Sequence, residues 1–415
     1  MAKLRQASLR HANLALVVRT VLGADVPPSR ADVAAATSLT RSTVSRLVDE
    51  LVAGGLLEEV GSATAGTADR PGRVGIVDGS DGAGRQGRPG RPATPLVASR
   101  GRFAALGLQV GVGHLAARLV DLSGTVLAEQ RVTADLSGTR PNDAFRRLCT
   151  LARHVLDAVP DGCRVVGAGL ALPGIVDVVD GRLLSAPNLG WEDVRPAPAL
   201  EQALGDLPLR VGNEADLSAY GYAHPAPGKD RGPQDFIYLS GEVGIGGAVV
   251  VGGELVTGRH GWAGEIGHVC VDPDGPACRC GSTGCLEQYA GRVALLSAAG
   301  LDAGASPVEL LGRVREGDAV ASDAVRAAVR ALGIALAGVV NVLDLPTVVL
   351  GGHLAQVGEL LAPDVEAALG RRVLSAHWVT PRVDIAPDDP AAGATGAALL
   401  ALEGLVRHPA EVISL

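Results

Sequence analysis

Residues Ala263–Glu287, AGEIGHVCVDPDGPACRCGSTGCLE, place the soft metal ligands His268, Cys278, Cys280 and Cys285 and the carboxylates Glu265 and Glu287 within twenty-five residues. His268 is followed after nine intervening residues by Cys278, then by Cys280 and, after four more, by Cys285. Gly281 and Gly284 let the backbone fold the three sulfurs inward. A Cys3His set is a closed, tetrahedral, structural type of zinc site. Reduced cysteines and a disulfide are the competing readings. Cys-x-Cys spacing bridges its own two members poorly and no signal peptide is read, so zinc is expected. Glu265 and Glu287 flank the loop. As acceptor-only carboxylates beside a rigid loop they suit a polyhydroxylated ligand, although alone they could equally be solvated.

The 415 residues are 47% apolar, with 56 Gly and 25 Pro, enough for two or three domains with sizeable cores. No run of about eighteen uncharged apolar residues is read, so the expectation is a soluble, cytoplasmic protein with no membrane partner. Three of the six cysteines lie outside the loop's ligand set, and Cys149, Cys163 and Cys270 are expected to be small buried hydrophobes.

The net charge of -8 hides an asymmetry. Residues 1–102 carry 14 Lys+Arg against 9 Asp+Glu, or +5, and the remaining 313 carry 23 against 36, or -13. A basic head on an acidic body points to nucleic-acid contact confined to the first hundred residues. Leu9, Leu14, Val17, Val18 and Val21 recur at helical spacing, and Pro27-Pro28 end that helix. Ser29 caps a short helix through Ala36, and after the turn Thr37-Ser38-Leu39, Thr40 caps a second, Arg41 to Ala53. Val44, Leu47, Val48 and Leu51 form its buried stripe, leaving Arg41, Ser42, Thr43, Ser45 and Arg46 outside. With Arg30 at the start of the preceding helix, these are the expected DNA contacts. Gly54-Gly55 ends the helix and Leu56–Val60 reads as the first strand of a wing. A small helical interaction domain is the bland alternative.

Residues 61–95, rich in Gly, Ala, Ser, Asp and Arg, read as a wing tip and linker. Arg88 and Arg91, spaced by Gly and Pro, could lie in a narrow minor groove, although a plain basic linker reads as well. From Phe103 the pattern is α/β. Strands are expected at Phe103–Val110, Leu115–Asp121, Thr125–Val132, Val165–Leu170, Phe236–Ser240, Ile245–Val251 and Thr347–Leu350, with helices at about Asp143–Val159 and Asp323–Leu343. Two successive blocks of this kind imply a two-lobed body with a cleft.

AGEIGH with CRCGSTGCLE, together with LALPGIVD, SAPNLGW and VGNEADLSAYGY, resembles the ROK family, which joins sugar kinases of the actin-like, hexokinase-type fold to repressors with an N-terminal winged helix. The resemblance implies a winged helix-turn-helix over 1–62 and a linker over 63–101. It further implies a first lobe over 102–230 completed by about 390–408, and a second over 231–389. It implies that His268, Cys278, Cys280 and Cys285 hold structural zinc. It also implies that Asn213, Glu214, Glu265, His268 and Glu287 line a sugar site, with Asn188 and Gly174 as weaker candidates. His268 can serve both because imidazole has two nitrogens.

Three departures favour a regulator over a kinase. Family kinases carry Asp-x-Gly-Gly-Thr where this chain has Gln109-Val110-Gly111-Val112-Gly113-His114. Their Gly-Thr-Gly phosphate loop is here Gly241-Glu242-Val243-Gly244, setting an anion against a triphosphate. Their catalytic Asp is here Glu214, whose extra methylene shifts a base by roughly 1 Å. No catalytic residue is therefore expected. The reading is a sugar-responsive transcriptional regulator, expected to repress carbohydrate-metabolism genes as at least a homodimer on operator DNA. An active sugar kinase with a DNA-binding head, and a regulator answering to a protein partner, are the rivals.

Overall fold

The computed structural model describes residues 2–61, 94–229 and 233–413. These fall into two compact units: residues up to Ser99 together with those from Leu405 onward, and Arg100–Gly404. The predicted wing tip, Arg88 and Arg91 lie outside the described residues.

The first unit packs helices Ala2–Leu22, Arg30–Thr37 and Arg41–Ala53 with a two-stranded antiparallel sheet, Leu57–Glu59 on Leu96–Ala98. Ser29 caps the second helix through a reciprocal capping box with Asp32, and Thr40 Oγ1 accepts from the Thr43 N–H at 3.2 Å to start the third. Val44, Leu47, Val48 and Leu51 are fully buried along with Leu14, Val17 and Val18. Leu9, expected in that stripe, is instead 63% exposed. A short helix the sequence did not announce, Pro409–Ile413, packs on the first and third helices, with Ile413 against Gly54.

The second unit holds two five-stranded mixed sheets. One runs in the order Leu209–Asn213, Arg164–Leu172, Phe103–Val110, His114–Asp121, Val126–Thr133. The other runs Glu254–Leu255, Ile245–Val251, Phe236–Gly241, Thr347–Leu350, Arg382–Ile385. A three-stranded sheet, Ile175–Asp177, Arg182–Ala186 and Trp191–Val194, is attached to the first lobe. Parallel pairing sets Gln109 beside Ala171 and Asn213 beside Leu172, so both sit near the carboxyl ends of their strands, where α/β folds place ligands.

Helix Ala392–Arg407 lies directly on the first sheet. A Cβ at Gly107 would come within 1.8 Å of the Ala394 carbonyl oxygen, and one at Gly169 within 2.3 Å of that of Ala397. In the second lobe, helix Ala319–Leu343 is long and apolar enough to cross a membrane by composition alone. It buries Ala324, Ala328, Leu332 and Leu336 in the lobe's core and packs on helix Gly358–Arg372, as a core helix does.

Candidate functional site

The strand Leu209–Asn213 ends because Asn213 becomes the N-cap of helix Glu214–Ala223. Its Oδ1 accepts from the Ala215 and Asp216 N–H groups at 2.7 and 3.2 Å, and its Nδ2 donates to the Gly174 carbonyl at 2.8 Å. One amide hydrogen is thereby left for a ligand. Glu287 opens a short helix, is 8% exposed, and accepts from the Ile245 N–H at 3.1 Å. A Cβ at Gly244 would sit 1.8 Å from its Oε2, so only glycine lets the chain pass this carboxylate.

All seven residues expected at a sugar site, Gly174, Asn188, Asn213, Glu214, Glu265, His268 and Glu287, line one cavity between the lobes. Arg279 lines it too. The sequence reading passed over Arg279, although its place between Cys278 and Cys280 was the available signal.

Glu214 and Asp216 both titrate well above the usual carboxylate range, each pushed up to about 7. Burial is the main cause for both, reinforced by the charge of Glu242 for Glu214 and of Glu265 for Asp216.

In the adjoining loop, the ligand atoms of His268, Cys278, Cys280 and Cys285 all lie within 4.8 Å of one another. His268 Nδ1 is 3.8 Å from Cys278 Sγ, and Cys280 Sγ is 3.7 Å from Cys285 Sγ. A tetrahedron with Zn–S bonds of about 2.3 Å has edges of roughly 3.8 Å, so this donor set fits a metal ion of that kind. Backbone bonds from the Val271 N–H to the Gly284 carbonyl and from the Cys278 N–H to the Ser282 carbonyl, both 2.8 Å, shape the loop. The other imidazole nitrogen, Nε2, faces Glu265 at 3.9 Å. Cys149 is buried and Cys163 half-buried, but Cys270, which forms an isolated antiparallel bridge with Cys285, is exposed, contrary to expectation.

Across the cleft, the three positions that depart from the kinase pattern are tied to partners. Gln109 Nε2 donates to Glu214 Oε1 at 3.0 Å while its Oε1 accepts from the Ala394 N–H at 3.0 Å. Glu242 accepts from the Val112 and Gly113 N–H groups at 2.6 and 2.7 Å and pairs with His114 Nδ1 at 2.9 Å. The anion expected to act by bare repulsion is therefore neutralised in place. A second cavity, lined by Gln109, His114, Arg292, Asp388 and Asp389 among others, shares Glu214, Ser240 and Glu242 with the first.

On the helix Arg41–Ala53, Arg41, Ser42 and Arg46 are exposed, whereas Thr43 and Ser45 are half-buried. Ser42 and Thr43 share hydrogen bonds with Thr40 at 3.1 and 2.8 Å. Arg30 does not present a free cation. It pairs with Asp49 at 2.7 Å and Glu59 at 2.8 Å and donates to the Ser45 carbonyl, which makes it a clamp between elements.

Residues 105–404 match the ROK family model, and residues 16–61 match the IclR helix-turn-helix domain. The xylose repressor of Caldicellulosiruptor bescii is 25% identical over 418 residues, spanning 97% of this chain and 98% of the repressor. A solved ROK family transcriptional regulator, described as a homolog of the E. coli MLC protein, superposes with a TM-score of 0.75 over 98% of this chain and 100% of its own, at 23% identity. A ROK family glucokinase from Streptomyces griseus, solved with glucose and AMPPNP, gives 0.61 at 31% identity over 72% of this chain and 100% of the glucokinase.

Proposed function

The chain belongs to the ROK family, and from that premise we propose how it works as a sugar-responsive transcriptional repressor. The ligand class is a neutral monosaccharide, an aldopentose or aldohexose, held between the lobes of the body. The observation that carries this reading is the convergence of Asn188, Glu265, His268 and Glu287 on one cavity in a chain that also bears a helix-turn-helix. Glu265 and Glu287 accept from sugar hydroxyls, Asn188 and the spare hydrogen of Asn213 supply amide contacts, and Arg279 donates from the loop.

His268 Nδ1 and the thiolates of Cys278, Cys280 and Cys285 would hold a zinc ion, which would supply a structural cross-link fixing the loop and the imidazole. His268 Nε2 would then carry the hydrogen and direct it toward the sugar side, where Glu265 stands. Arg41, Ser42 and Arg46 meet the operator, and a homodimer in the cytoplasm reads its two half-sites. Sugar binding shifts the population toward a form with lower operator affinity.

The protein is not a kinase in this reading. Glu214, which stands where family kinases carry Asp, has its carboxylate engaged by the Gln109 amide, and Asp388, Asp389 and Glu242 line the half of the cleft that a nucleotide would need.

The test selects operator fragments from a random DNA pool, then titrates xylose, glucose and other neutral sugars into the complex with and without Mg-ATP. Release by one sugar, independent of ATP and without ADP formation, is expected. Turnover of ATP, or operator affinity unchanged by every sugar that binds, overturns it.

A further inference from the structure

We propose that the cavity between the Cys3His loop and helix Ala319–Leu343 is a second ligand site, one that takes a small organic oxyanion: an acid group carried on an apolar body. The cavity measures about 460 Å³, a size suited to a small molecule, and shares no residue with the cavity between the lobes. Its walls come from two places. Val271, Pro273 and Tyr289 belong to the loop and the short helix that follows it, whereas Arg326, Arg330 and Ile334 lie on one face of helix Ala319–Leu343.

The loop side is held as a wall. The Val271 N–H donates to the Gly284 carbonyl at 2.8 Å, Cys270 and Cys285 form their antiparallel bridge, and the Tyr289 hydroxyl donates to Asp272 Oδ2 at 3.1 Å. Gly284 allows this close packing, because a Cβ there would overlap the Asp272 carbonyl oxygen.

The charges select an anion. Arg326 and Arg330 stand four residues apart on the helix, where like charges face and repel each other. Arg330 has no hydrogen bond or ion pair among the described residues. Arg326 pairs with Asp323, but the two side chains are 68% and 66% exposed, so water screens that pair and an incoming anion can share the guanidinium. Asp272 is the one carboxylate lining the cavity, and both of its oxygens are occupied, Oδ2 by Tyr289 and Oδ1 by the Asp274 N–H at 3.2 Å. Two guanidiniums against one bonded carboxylate leave the cavity positive within an acidic body. Their forked N–H donors suit a carboxylate or a phosphate. Val271, Pro273, Ile334 and the Tyr289 ring supply apolar surface for the rest of the ligand, which favours an acid on a hydrocarbon or aromatic body over a bare inorganic ion. None of this depends on what the cleft between the lobes takes.

Calorimetric titration of phenyl phosphate, inorganic phosphate and phenol into the full-length protein tests the site, with wild type, Arg330→Gln and the double variant Arg326→Gln with Arg330→Gln. Wild type is expected to bind phenyl phosphate, and to bind either of its halves roughly tenfold or more weakly. Arg330→Gln is expected to lose roughly tenfold in phenyl phosphate affinity, the effect of one charge-assisted fork, and the double variant to lose binding altogether. Both arginines are exposed, so the substitutions leave the core intact, and melting curves matching wild type verify it. No binding of phenyl phosphate by wild type overturns the proposal, as does undiminished affinity in the double variant. Equal affinities for phenyl phosphate and inorganic phosphate refute the apolar part of the site.

Discussion

Glu214 offers a sharp test of the site's electrostatics. It is half-buried at the floor of the cleft, bonded to Gln109 at 3.0 Å, and pushed from its ordinary 4.5 to about 7, first by desolvation and then by the charge of Glu242. Between those two values the folded chain keeps a proton that the unfolded chain has released, so stability falls as pH rises. At about 1.4 kcal/mol for each pH unit between them, the full penalty above pH 7 is roughly 3 kcal/mol. Glu214→Gln keeps the acceptor for Gln109 Nε2 and removes the titration. The variant should match wild type below the ordinary carboxylate pKa and exceed it increasingly above. Urea unfolding of both proteins at about pH 5.5 and about pH 8 should show its advantage growing by roughly 2 kcal/mol. A constant difference at the two pH values would mean that Glu214 is already ionised in the fold, and the account of its protonated state would be wrong.

Further outcomes follow from the other parts of the molecule. Cys280→Ser, or chelation, should remove one zinc per chain by metal analysis and weaken sugar binding by about 10- to 100-fold in calorimetry, the usual effect of losing what orients a ligand-reading imidazole. Unchanged affinity would separate His268 from the sugar. Arg41→Ala with Arg46→Ala should flatten the salt dependence of operator binding by about 0.9 in log–log slope for each phosphate no longer neutralised, whereas Arg30→Ala, whose cation is spent on Asp49 and Glu59, should lower head stability and leave the slope alone. Leu47→Ala, at a fully buried position, should destabilise the DNA-binding unit by about 2–5 kcal/mol in thermal melts while sugar binding by the body persists.

What was legible in the sequence was local. The helix Arg41–Ala53 begins and ends where its cap Thr40 and Gly54 predict, and the strands Phe103–Val110, Ile245–Val251 and Thr347–Leu350 match their β-rich runs to the residue. The Cys3His spacing brought four ligand atoms together because the loop that carries them is short. What was not legible depended on partners remote in the chain. Arg30 looks like a DNA contact until Asp49 and Glu59, on two other elements, are set beside it. Nothing in Pro409–Ile413 says that it packs on the first helix, and nothing in Glu242 says that its partners are Val112, Gly113 and His114.

That pairing of Glu242 changes how the departures from the kinase pattern fit together. Taken singly, each is unfavourable: Glu242 would be a buried anion, and Glu214 a carboxylate close to it. Taken together they are mutually consistent. The Val112–Gly113–His114 turn stabilises the Glu242 anion, the charge of Glu242 helps raise Glu214 to about 7, and Glu214 accepts from the neutral Gln109 amide, whose oxygen in turn receives the Ala394 N–H. An aspartate at 109 would set a third carboxylate against this pair and lose the donor. The amide is thus the residue that the two glutamates require, and restoring one kinase-like group at a time would break the network before it rebuilt a phosphate site.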